Sequence, residues 1–356
     1  MEKIILSIIL VLMALGVHGQ EKKQTLLPPY AYATEEVSFT NAEDHAVLSG
    51  TLSYPFGYEK MEKNAVPVVL MISGSDLQNR DEELFGHKPF LVIADYLAKH
   101  GIASLRYDDR NFGKSIGNVT EATTETFMKD ALAGIDFLKK SGQFGKTGVI
   151  GHSEGGSIAF MLASRKSVDF VVSLAGSSVR GDLVLLTQNK TLLSMSGIPD
   201  QVCTDYCNVL KEIFQAQLAK PDIANPKELV KELIEKTQAK LPPSLEQNLV
   251  MVIKLSNPWS RYFISYDPGK DIAKTHCPVM AINGSKDMQI DAKTNLEAIQ
   301  TLLPANTQNL IKEYPGLNHL FQHSETGNPA EYANIEETIA PEVLEDVANW
   351  INQTSK

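Results

Sequence analysis

Residues 147–156 read Thr147-Gly-Val-Ile-Gly-His-Ser153-Glu-Gly-Gly156. The first four residues suit a short buried strand, and the small and apolar run after Glu154 suits a helix. The abrupt turn between them carries Ser153, which is the form of a nucleophile elbow. A serine hydroxyl is a weak nucleophile, so it must stand exposed, near a base and near donors for an oxyanion. Gly151 and Gly155 lack a Cβ, which lets the chain turn sharply and the following helix pack close to neighbouring strands. Gly-x-Ser-x-Gly is too short a pattern to decide alone, so the flanking chain has to supply its context.

On both sides, buried strands alternate with helices. Residues 66–72 form a continuous apolar run, followed by a polar loop over 73–83 and a helix near 90–100. Further strands are expected at 102–106, 147–150, 170–174, 278–282 and 309–314, with helices near 124–140, 293–303 and 342–352. Residues 35–39 and 46–54 alternate apolar and polar around 41–45, which predicts an antiparallel hairpin. This rhythm predicts an α/β fold: a mostly parallel, doubly wound sheet whose ligand sites lie beyond the carboxyl ends of the strands. Between 180 and 265 the strand signal stops. Helical segments are expected at 183–193, 202–218 and 228–239, the last with Asn225 as N-cap and Pro226 at the first helical position. The reading is an α/β core over 35–179 and 266–356 with a helical cap inserted over 180–265; ordinary sheet-packing helices are the alternative.

Composition narrows the function classes. The 356 residues have a formal net charge of −10 and no Lys/Arg cluster, which excludes a nucleic-acid surface. Lys3, an apolar run over 4–17, and Val17 and Gly19 before Gln20 predict a cleaved secretory signal over 1–19. The run is shorter than the roughly 20 residues of a membrane span, so no membrane insertion is expected after cleavage, and 20–34 follows as a linker. Export places the mature chain in the periplasm or outside the cell. Cys203, Cys207 and Cys277 are too few for a disulfide framework. A bridge to Cys277 is open in an exported chain, but free thiols are the preferred reading. No spacing of ligands suggests a metal site, and no cofactor is expected.

An elbow serine needs a base, and the base an orienting acid; in this architecture they follow in the order Ser, Asp or Glu, His, each after a strand. Asp287 stands just beyond the strand ending at Ile282, and His319 just beyond the one ending at Tyr314. Asp291 and His323 are the nearest competitors. Asp291 reads better as a helix N-cap, and His323 lies farther from its strand. His152 is assigned to packing. Oxyanion donors are expected from the backbone N–H of Glu154 and from that of Ser75, in the Ser73-Gly74-Ser75 loop after the first parallel strand. Arg80, Asp81, Asp108 and Arg110 lie on loops at the same edge, where they either brace the oxyanion loop or contact a charged substrate. Trp259, Arg261, Tyr262 and Phe263 either line a pocket or anchor the insertion.

Over 35–356 the chain resembles the α/β-hydrolase family, and within it a group of bacterial serine esterases with a helical cap. The stretches that carry the resemblance are 74–82, 106–115, 151–156 and 278–287, together with His319. It implies a carboxylesterase with a Ser153, Asp287, His319 triad acting on a small-molecule ester. Many relatives have glycine where this chain has Asn111, a residue that tolerates left-handed backbone. The His-Gly oxyanion loop of many lipases is replaced by Ser73-Gly74. An exported serine peptidase with the same triad is the first alternative, and a non-catalytic ligand-binding hydrolase fold is the second.

Overall fold

The computed structural model describes residues 24–356, so the predicted signal over 1–19 lies outside the described residues. The described residues divide into two compact units, one over Val179–Asp267 and one formed by residues 24–178 with Pro268–Lys356.

The larger unit is built on an eight-stranded sheet. The strands are β1 (Thr34–Thr40), β2 (Val47–Ser53), β3 (Val68–Ile72), β4 (Ala103–Tyr107), β5 (Thr147–His152), β6 (Val171–Leu174), β7 (Val279–Gly284) and β8 (Leu310–Tyr314), in the order β1-β2-β4-β3-β5-β6-β7-β8. The hairpin β1–β2 is antiparallel, and β2 runs antiparallel to β4; every other pair is parallel. Strands β3 to β7 are buried along their whole length. This explains why β3, β6 and β7 read as near-continuous apolar runs rather than alternating ones.

The helices of this unit are α1 (Pro89–Lys99), α2 (Thr124–Ser141) and α3 (Glu154–Ser164), and after the smaller unit α9 (Gly269–Ile272), α10 (Ala292–Leu302) and α11 (Pro341–Thr354). Helices α1 and α11 pack Phe90, Ile93, Leu97, Val343, Val347 and Ile351 into a core shared with Val69, Met71, Ile150, Val172, Met280 and Ile282 of the sheet. Each such side chain contributes about 1.5–3 kcal/mol by leaving water. The chain leaves β3 towards β4 on one side and reaches β5 on the other. The carboxyl ends of β3 and β5 therefore flank the topological switch point, where the crevice of a doubly wound sheet opens. The loop starting at Ser73 and the turn at Ser153 both lie there.

The smaller unit consists of α4 (Gly181–Met195), α5 (Asp200–Ala219), α6 (Pro226–Thr237), α7 (Pro243–Lys254) and α8 (Pro258–Ser265). It has its own core, including Cys203, Tyr206, Leu210, Ile213, Phe214, Leu245 and Leu249. Helices α6, α7 and α8 each open on proline, whose missing N–H costs nothing at a helix start. Asn225 stands at the N-cap of α6 but makes no side-chain bond there, whereas Asn257 caps α8 by accepting the Ser260 N–H at 2.8 Å. The three cysteines are free thiols; burial pushes Cys207 and Cys277 up to about 11.

Candidate active site

Ser153 joins β5 to α3 with φ 54° and ψ −117°, a conformation that costs a non-glycine residue about 1–3 kcal/mol. The turn is held from both sides. The Ser153 N–H donates to Leu174 O at 2.9 Å, and the Gly156 N–H to Ser153 O at 3.0 Å. The glycines around it serve close approach rather than unusual dihedrals. A Cβ on Gly155 would collide with the carbonyls of Ile72 and Ser73, and one on Gly151 with the backbone of Gly155. The strain thus falls on the serine itself, and the glycines let α3 enter beside β3.

Asp287 and His319 meet. His319 Nδ1 lies 2.7 Å from Asp287 Oδ2, and both side chains are buried. The other carboxylate oxygen accepts the N–H groups of Gln289 and Ile290, each at 2.8 Å. So bonded, the carboxylate is an acceptor, which puts the proton of His319 on Nδ1 and leaves the Nε2 lone pair available as a base. The competitors are engaged elsewhere. Asp291 caps α10 by accepting the Thr294 N–H, while His323 is exposed and faces Glu337 and Glu342. The His319 ring lies 4.7 Å, centroid to centroid, from the ring of His152, the residue before Ser153. No hydrogen bond joins Ser153 to His319 in this structure; such contacts are often long before substrate binds.

The loop after β3 runs against the elbow: a Cβ on Gly74 would stand 3.2 Å from Ser153 Cβ. Of its donors, the Gly74 N–H is committed to Glu82 Oε1 at 2.8 Å, and the Ser75 N–H has no partner among the described residues. Glu154 heads α3, at the positive end of that helix's dipole; its carboxylate accepts the Thr124 hydroxyl at 2.6 Å.

The segment after β4 clamps this loop. Asp108 accepts the Arg80 backbone N–H (2.9 Å) and guanidinium (2.8 and 3.1 Å), and Arg106 pairs with Asp81. Asp109 accepts the Gln78 N–H at 2.8 Å and the Ser73 hydroxyl at 3.2 Å. Burial, with added repulsion from Asp130 and Glu154, pushes Asp109 up to about 8 despite those bonds. Of the two roles open to Arg80, Asp81 and Asp108, the structure gives bracing. Arg110 belongs elsewhere: it is fully buried and pairs with Asp130 of α2 (2.7 Å) and with Asp44 (2.6 Å). Asn111 has φ 60°, the left-handed turn expected of it. In α8 and just beyond it, Trp259 stacks on Phe263 and Tyr262 on Tyr266.

Two participants escaped the sequence reading. His152 does more than pack, for its Nδ1 lies 2.9 Å from Glu82 Oε1 and its Nε2–H donates to the His319 carbonyl at 3.0 Å. Glu82 was visible only as the last residue of the 74–82 stretch. The signal available was an acidic residue eight positions after Gly74, facing a histidine beside the nucleophile. Among the described residues no group of three or more His, Cys, Asp or Glu is arranged to hold a metal.

The model of the X-Pro dipeptidyl-peptidase (S15) family matches residues 44–315. The esterase EstD of Thermotoga maritima is 25% identical over 306 residues, covering 85% of this chain and 65% of its own length. Among solved structures, the esterase Pf2001 of Pyrococcus furiosus superposes with a TM-score of 0.53 at 16% identity, over 95% of this chain and 99% of that one. Est1E of Butyrivibrio proteoclasticus, solved with ferulic acid, gives 0.52 at 17% identity over 89% and 98%. At such identities the structural likeness speaks for the fold, which is that of the α/β-hydrolases.

Proposed function

The chain belongs to the X-Pro dipeptidyl-peptidase (S15) family, and from that premise we propose that it is a serine hydrolase of small carboxylic esters, working through an acyl-enzyme on Ser153. The observation that carries the reading is the buried Asp287–His319 bond of 2.7 Å, with the His319 ring set against the elbow. Asp287 holds the proton on Nδ1, and His319 Nε2 takes the Ser153 proton as Oγ attacks the ester carbonyl. The tetrahedral oxyanion receives the N–H groups of Ser75 and Glu154. His319 then returns its proton to the departing alkoxide. Next it removes a proton from water, whose oxygen attacks the acyl carbon; Ser153 leaves with that proton and the carboxylic acid is released.

An ester is preferred to a peptide because the relative aligned over most of this chain is named an esterase. The peptidase reading is favoured by the family's own name. Export is part of the proposal: cleavage after Gly19 would place the mature chain in the periplasm or outside the cell, which N-terminal sequencing of the mature protein tests.

The deciding experiment is hydrolysis of p-nitrophenyl esters from acetate to decanoate, with Ser153→Ala in parallel. Turnover that falls on the order of a million-fold in the variant supports the proposal. A wild type inert on all esters but active on X-Pro dipeptide anilides would replace it with the peptidase.

A further inference from the structure

Beside the elbow lies a second carboxylate–imidazole pair that the proposed reaction does not use. Glu82 and His152 are 5% and 7% exposed. Glu82 Oε1 accepts the Gly74 N–H at 2.8 Å and lies 2.9 Å from His152 Nδ1, while His152 Nε2 lies 3.0 Å from the His319 carbonyl oxygen. A carbonyl oxygen carries no proton, so Nε2 must. If Nδ1 were bare and Glu82 ionised, two lone pairs would face each other across 2.9 Å in a water-poor interior, an arrangement too costly to persist. One further proton therefore sits between Nδ1 and Oε1, on the ring or on the carboxyl, and the pair as a whole is neutral.

Stability does not explain the pair. Glu82 has a left-handed backbone, φ 51°, and its Oε2 is buried without a partner among the described residues. A buried ion pair of this kind is often no more stabilising than apolar side chains of the same volume. What it does achieve is linkage. Gly74, Glu82, His152 and His319 form one hydrogen-bonded line from the loop that carries the Ser75 N–H to the loop that carries the His319 imidazole.

We propose that Glu82 and His152 are positioning residues, a proton-sharing pair that sets the spacing between the oxyanion donors and the base and keeps net negative charge away from the oxyanion. This rests on the assignment of Ser153, His319 and Asp287 made above. The groups facing His152 agree with a retained proton. Burial opposes its charge, but Glu82, the His319 carbonyl and Asp287 together raise it above an ordinary histidine. Near Glu82, Asp81 is matched by Arg106.

The test uses the full chain labelled with 15N-histidine, in wild type, Glu82→Gln and His152→Gln. Proton NMR should show two far-downfield imidazole protons: that of His319 Nδ1 on Asp287, present in all three proteins, and a second one, retained above pH 7 and missing from both variants. Ester kinetics should show kcat lower on the order of 100-fold in each variant, the cost of a misplacement near 1 Å, with KM within about twofold. A merely structural pair would instead lower the folded fraction and leave kcat per active site unchanged, as counted by organophosphonate titration; that result overturns the proposal. So does a wild-type His152 carrying a single proton, with the His319 proton as the one far-downfield imidazole signal. If wild type turned over no ester, the NMR arm would still decide whether the proton is shared, so the two readings fail separately.

Discussion

Asp109 and Gln78 exchange hydrogen bonds: the Gln78 N–H donates to the Asp109 carboxyl at 2.8 Å, and the Asp109 N–H to Gln78 O at 3.1 Å. The segment after β4 thus shapes the loop after β3 by acting as its template. That template contains a buried acid, which gives it a pH dependence with a definite sign.

Asp109 is pushed up to about 8 from an ordinary 3.8, chiefly by burial. A folded-state value above the unfolded one means the folded chain binds the proton more tightly. Stability therefore falls as pH rises from about 4 to about 8, as the unfolded chain ionises and the folded one resists. Below that window the cost is absent, and above it the cost is constant. Asp109→Asn removes the ionisation but keeps an acceptor for Gln78. Urea unfolding should show the variant gaining on wild type between pH 5 and pH 8. A difference that stays flat across that range would mean Asp109 is ionised in the folded chain.

Gly155→Ala places a methyl group against the backbone of Ile72 and Ser73, which cannot yield without moving β3. Overpacking of this kind costs about 1–3 kcal/mol, readable as a lower urea midpoint at unchanged m. Because α3 must retreat, the Glu154 N–H shifts as well, and kcat should fall on the order of 100-fold. An alanine variant with wild-type kcat would show that this N–H does not contact the oxyanion.

Arg110 is fully buried between Asp130 and Asp44. Arg110→Ala leaves the buried Asp130 carboxylate without its cation, and the loss of one partner of such a pair costs about 3–5 kcal/mol. Denaturant unfolding measures it. In Arg110→Ala/Asp130→Ala most of that loss should be recovered, since neither charge is then left alone.

The elements were legible because the inner strands β3, β6 and β7 are largely apolar, because the β1–β2 hairpin alternates, and because Ser153, Asp287 and His319 all follow a strand end. What was hidden depends on long-range pairing. Nothing local marks Glu82 as the partner of His152, 70 positions later, since only the left-handed turn at Glu82 brings them together. For the same reason Arg80, Asp81 and Asp108 stood between two roles, which the Arg80–Asp108 and Arg106–Asp81 pairs decide. Nor could the run of charges 106–110 say that burial pushes Asp109 up to about 8 while Asp108, one residue away, is held below the usual carboxylate range by Arg80 against the pull of burial.

Asp287 and His323 give the sharpest contrast among the acid and histidine candidates. Asp287→Asn keeps the acceptor for Gln289 and Ile290 but turns an amide N–H towards His319 Nδ1, which can then only accept. The ring proton moves to Nε2, the atom that must be bare to receive the Ser153 proton. In a Ser-His-Asp enzyme that tautomer change costs about 10⁴-fold in kcat, with KM little altered, and the loss should be partly relieved at high pH. His323 lies on the surface against Glu337 and Glu342, so His323→Ala should leave kcat within about twofold. Steady-state kinetics on one ester, run on both variants across pH 6 to 10, measures the pair of effects. If instead His323→Ala is the damaging change and Asp287→Asn the silent one, the base lies on the wrong histidine, and the line from Gly74 through Glu82 and His152 would end on a residue with no part in the chemistry.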